Sequence, residues 1–142
     1  MEIVIGLLIF LHLAGLVVGM GSGVAASRLG PLLASANDDQ RTILFKLAKL
    51  LALNGHIGLA LLWITGPLVI WLKYGGTGDF DFWFWAKIIL AIVLTASVGI
   101  ATSASRRMRE GDMSAGLTVK RAGMVNVLVG FATILCAVFA FA

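Results

Sequence analysis

Two histidines and one lysine, His12, His56 and Lys87, stand inside stretches of this chain that are otherwise almost wholly apolar. An imidazole has two ring nitrogens: one can bind a metal or take up a proton, while the bond made by the other fixes the tautomer. A lysine ammonium is a compact charge on a flexible stem. Ionisable groups are costly in hydrocarbon, so residues of these types mark candidate functional positions. Each also has a structural reading. An imidazole is satisfied by one carbonyl and one Asn or Thr, with Asn126 a candidate partner for His56, and Lys87 can snorkel to an interface. Other chemistries find no residues. No Asp or Glu lies inside an apolar stretch, and there is no His-x-x-x-His or Glu-x-x-His pair. This excludes carboxylate proton relays and di-iron carboxylate centres in their usual forms. Met20, Met124 and Cys136 are too scattered for a copper set, and the lone Cys136 reads as a small buried hydrophobe.

The elements that must position these groups are membrane spans. Apolar stretches cover residues 3–27, about 47–72, 83–104 and 122–142. Each is near the roughly 20 residues a helix needs to cross a bilayer. Hydrophobic residues make up 60% of the 142-residue chain and charged residues 13%, far from the balance of soluble domains. The expected fold is all-α: a single domain over 1–142, an up-down bundle of four transmembrane helices at about 3–27, 39–73, 83–105 and 119–141. The first span carries Glu2 and no basic residue before it, and so reads as a retained helix, not a signal peptide. Basic residues collect in two connections, 28–49 and 106–121, whereas Lys73 faces Asp79 and Asp81 in the other. The positive-inside bias puts the two basic connections in the cytoplasm and both termini outside, in the periplasm if the membrane is a bacterial inner membrane. The net charge of +4 then reflects topology and attraction to anionic lipid, with no implication of nucleic acid.

Within this frame, Gly15, Gly19 and Gly23 form a small-residue stripe on the first helix, suited to close packing. His12 falls on the same stripe and should face a packed helix. Gly30-Pro31 is expected to end that helix, Asn37-Asp38-Asp39 to cap the next, and Gly66-Pro67 to kink it. His56, Ala60, Trp63 and Pro67 share a face, and Trp71, Tyr74, Trp83 and Trp85 form an outer aromatic belt. Gly123, Asn126, Gly130, Thr133 and Ala137 make a small and polar stripe on the last helix. Counting 1.5 Å of rise per residue, His12 and His56 differ in depth by roughly 12 Å, and His12 and Lys87 by about 6 Å. A haem standing between helices wants axial ligands at one height. His12 with Lys87, or His12 alone, fits that need better than His12 with His56, and His56 lies nearer the depth of Asn126.

Leu11-His12 opening the first helix, Arg28-Leu29 closing it, and Trp83-x-x-x-Lys87 opening the third resemble the HemJ-type protoporphyrinogen oxidases, small four-helix membrane proteins that bind haem b. The resemblance implies functional, haem-linked roles for His12 and Lys87. The chain departs from that pattern at Gly19, at Trp85 and at Asn54-Gly55-His56. It is also similar to CopD-like small integral membrane proteins in its Leu-His opening and in Thr65-Gly66. The expectation is a haem b-binding redox protein with His12 on the iron and Lys87 or His56 as second participant. Arg28, Trp63, Trp83 and Asn126 would supply pocket and supporting polar groups, with Lys87 or Arg28 on a propionate. Its partners would be the bilayer, a quinone or porphyrin, and a second copy or another membrane subunit. Two other readings fit the same residues: a non-enzymatic accessory subunit packing through Gly15, Gly19 and Gly23, and a small metal or solute transporter using both histidines in turn.

Overall fold

The computed structural model describes residues 1–76 and 80–141; Asp79, expected to oppose Lys73, lies outside the described residues. Among the described residues there is no strand, and the helices in chain order are α1 (Glu2–Ser27), α2 (Leu29–Ser35), α3 (Asp38–Tyr74), α4 (Phe82–Arg109) and α5 (Ala115–Phe141). All but α2 are long and apolar enough to cross a membrane. The apolar side chains point the way a lipid-solvated bundle requires. Phe10, Val17, Leu128 and Phe131 are each 60% or more exposed, whereas positions facing neighbouring helices are small, such as Gly15, Gly58, Ser97, Ala104 and Ala122. Between helices in lipid, close approach and dispersion replace the hydrophobic effect, so small residues mark the contacts.

Each helix boundary has a local cause. Asn37 opens α3 with a full capping box: its side chain accepts from Gln40 N at 2.9 Å, and its own N–H donates to Gln40 Oε1 at 3.1 Å. Asn37→Ala is therefore expected to destabilise the protein by about 1 kcal/mol, read as a lowered thermal midpoint in detergent. Gly75, at φ 67°, closes α3 in the left-handed conformation open to glycine. Asp81 caps α4 by accepting from Phe84 N at 3.0 Å. Arg106, Arg107 and Arg109 sit in the last turn of α4, where cations oppose the helix dipole. Beyond it, Asp112 accepts from Ser114 and pairs with Arg107. These bonds, first Ser114 and then Arg107, hold its carboxyl below the usual carboxylate range, so the clasp persists at neutral pH and is lost only in acid.

Two expectations are corrected here. Gly30-Pro31 does not end the first helix. α1 stops at Ser27, Arg28 bridges, and α2 runs through Gly30-Pro31. Pro31 falls in the first turn of α2, where a missing N–H breaks no helical bond. The last connection is also shorter than 106–118, because α4 continues to Arg109 and α5 begins at Ala115. Arg106 accounts for part of the extension by bonding Glu110 at 2.9 Å, one turn on.

The bundle is built as two tight pairs. α1 packs along α3 and α4 along α5, while α1–α5 and α3–α4 touch far more sparsely. The first pair closes on glycine: a Cβ on Gly58 would stand 2.5 Å from the Gly15 carbonyl oxygen and 2.7 Å from Gly19 Cα. Gly15 and Gly19 are therefore packing residues, whereas a Cβ on Gly23 would meet nothing within 4 Å. α3, with 37 residues, is about 55 Å long, well beyond a hydrocarbon layer of about 30 Å. The surplus lies at the basic end of the bundle, where α3 carries Arg41, Lys46 and Lys49.

Candidate functional site

His12 is half-buried on α1, with Nδ1 2.9 Å from Oγ1 of Thr65 on α3. Thr65 is 2% exposed, and its hydroxyl donates to the Leu61 carbonyl at 2.6 Å. A threonine has a single hydroxyl hydrogen. With that hydrogen committed to Leu61, Thr65 can only accept from His12, so Nδ1 carries the proton. The neutral ring then presents Nε2 as a bare lone pair on the side away from Thr65. Histidines that bind metals are fixed in this manner, by a hydrogen bond to the nitrogen that does not ligate. Gly66 makes room for the ring: a Cβ there would lie 3.3 Å from His12 Cε1.

Lys87 projects from α4 five residues past Phe82, the first residue of that helix, as His12 lies ten residues past Glu2, the first of α1. Nζ lies 4.8 Å from the ring centroid of buried Phe84, one turn toward the start of α4, the direction in which helical side chains lean. Phe84 in turn stacks on Phe80 at 4.0 Å between centroids. His12 and Lys87 therefore belong to one end of the bundle and to opposite sides of the sparse seam between the two helix pairs.

His56 belongs elsewhere. It is exposed on α3, nine residues from Thr65, or about 13 Å along the helix. Nδ1 lies 2.6 Å from the Ala52 carbonyl oxygen, which forces Nδ1 to be the donor. Nε2 lies 3.4 Å from Thr102 Oγ1, while that hydroxyl donates to Val98 O at 2.9 Å. The contact with the Ala52 carbonyl is the shorter of the two. The expected pairing of His56 with Asn126 does not form. The partner across the seam is Thr102 of α4, whereas Asn126 sits on α5, and its buried Oδ1 has no hydrogen-bond partner among the described residues.

Trp63 crosses the same seam, donating from Nε1 to Thr95 Oγ1 at 3.0 Å, while Thr95 donates to Ala91 O at 2.8 Å. Trp63→Phe removes this tie and is expected to cost about 0.6–1 kcal/mol, read as a lower thermal midpoint without loss of helix. Trp83 packs on Phe139 of α5, 5.1 Å between centroids, and so fastens α4 to α5. Arg28, exposed between α1 and α2, is sixteen residues from His12, about 24 Å away along α1. That is too far to serve a group bound at His12.

Sequence reasoning missed the threonines as partners, and missed Gly58. A signal was present: His56 and Trp63 are seven residues apart on α3, and Thr95 and Thr102 seven apart on α4. In antiparallel helices these pairs fall opposite one another two turns apart. Comparison with protein-family models, with curated proteins and with solved structures finds no match to this chain.

Proposed function

We propose that the protein is a membrane-embedded redox protein that binds haem b through His12. The observation that carries this reading is the Nδ1 contact of His12 with Thr65, whose hydroxyl is on the Leu61 carbonyl, which supports Nε2 as the nitrogen left for a ligand. Among the described residues no group of three or more His, Cys, Asp and Glu side chains could hold a metal ion. A bare ion needs three or four protein ligands, whereas a haem brings four nitrogens of its own and asks the protein for one or two. An isolated, oriented histidine therefore fits a haem better than a naked metal.

The surroundings restrict where such a group can sit. The glycine stripe does not receive a macrocycle, because the α3 backbone at Gly58 already fills it. The seam between the two helix pairs is the more sparsely packed side. His56, about 13 Å away along α3, cannot share the iron with His12. His12 would hold the iron of such a group, and Lys87 would offer positive charge to its carboxylates.

Bound haem supplies a one-electron ferric–ferrous couple. The chain's own contribution is to orient His12 through Thr65, to keep water out with apolar walls, and to set local charge with Lys87. A membrane quinone is the proposed electron partner, and oxidation of a porphyrinogen, with that quinone as acceptor, is the specific reaction that the HemJ-like motifs suggest. The basic connections are proposed to face the cytoplasm of a bacterial inner membrane, with both termini outside. An absorbance spectrum of the protein purified after expression with haem supply tests the reading. A Soret band that shifts on reduction is expected, and a colourless protein removes the proposal in favour of an accessory subunit.

A further inference from the structure

At the basic end, a cavity of about 630 Å³ opens between α2, the first turns of α3, the end of α4 and the start of α5. It lies far from His12 and takes no part in the haem reading. Its wall carries four cations, Arg41, Lys46 and Lys49 from α3 and Arg109 from α4. Thr42, Phe45, Lys46 and Lys49 follow the i, i+3, i+4, i+7 spacing that sets residues on one helical face. None of the four cations forms an ion pair among the described residues. The nearby acids are engaged elsewhere, Glu110 with Arg106 and Asp112 with Arg107, and Asp38 and Asp39 lie in the first turn of α3, where the helix dipole favours them.

Apart from Thr42, the rest of the lining is apolar and includes Leu33, Phe45, Met108 and Met113. A cavity whose wall combines unpaired cations with flexible apolar side chains matches an amphiphile, with an anionic head and a hydrocarbon tail. A nucleic acid would not use the apolar part, and a small soluble anion would not need it. The position agrees, because α3 leaves the hydrocarbon layer near Lys49, where headgroup phosphates stand. We propose that this cavity binds the phosphate headgroup of an anionic membrane phospholipid, with the acyl chains running out over Phe45 and Met108.

The test is native mass spectrometry of the detergent-purified protein with equal amounts of phosphatidylglycerol and phosphatidylcholine of the same acyl composition. Wild type should retain phosphatidylglycerol preferentially. Each cation removed near an anionic headgroup weakens binding by roughly fivefold, so Lys46→Gln with Arg109→Gln should reduce the preference at least about tenfold. Arg41→Gln with Lys49→Gln, on the same wall, should do likewise and stands in if the first pair does not fold. Lys120→Gln with Arg121→Gln, which removes two cations outside the cavity, should leave the preference unchanged. Equal retention of both lipids, or an equal loss in the Lys120 and Arg121 variant, overturns the proposal. Glycerol phosphate displacing the lipid at equal concentration would assign the site to a free phosphate and also overturn it.

Discussion

On the proposed haem reading, His12→Ala is expected to abolish the Soret band, lowering haem content at least about tenfold, the scale on which removing support for a metal-ligating histidine acts. The same change at His56 should leave most of the haem in place. The asymmetry follows from position. Nε2 of His12 is held bare by the chain from Nδ1 through Thr65 to the Leu61 carbonyl, whereas His56 is nine residues further along α3 and faces Thr102. Thr65→Val gives the finer test. Valine keeps the shape of threonine but offers no acceptor, so Nδ1–H loses its partner and the ring loses its tautomer preference. Haem affinity should fall by about 10- to 100-fold while helix content and thermal midpoint change little. Thr65→Ser, which keeps the hydroxyl, should recover most of the binding. Haem retained in His12→Ala at the wild-type level would sink the assignment, even with a coloured wild-type protein.

Gly58→Leu is expected to prevent α1 from docking on α3. The added Cβ would stand 2.5 Å from the Gly15 carbonyl oxygen and 2.7 Å from Gly19 N and Cα, and these are backbone atoms that cannot rotate away. Overpacking of well-filled sites costs about 1–3 kcal/mol, and here two helices must also separate along their length. Gly58→Ala already creates this conflict and should lower the thermal midpoint by several degrees. Gly23→Ala, on the same stripe of α1 but with nothing within 4 Å of the new Cβ, should be neutral. Because His12–Thr65 spans the same helix pair, Gly58→Leu should lose haem together with stability, unlike Thr65→Val, which should lose haem alone. A Gly58→Leu protein as stable as wild type would show that the α1–α3 contact is made elsewhere. The stripe is used within one chain, so Gly15 and Gly19 are not open to a second subunit.

The helices and their apolar character followed from the residues alone, because a 20-residue apolar stretch has few other solutions in water or lipid. The cap at Asn37 and the inward face of His12 were equally legible, since both depend on spacing within a few turns of one helix. What the letters did not contain was which helix lies against which. Gly58 could be recognised as the counterpart of Gly15 and Gly19 only once α1 was laid against α3. Thr65 and Thr102 became the partners of the two histidines only when the relative heights of three helices were set. The break at Arg28, with Gly30-Pro31 inside a new helix, likewise depended on how α2 turns back toward α3. Side-chain type and local period are properties of the chain, but hydrogen-bond partners across helices depend on rotation and register. Whether His56 meets Thr102 of α4 or Asn126 of α5 depends on which helix lies against α3, and only packing fixes it.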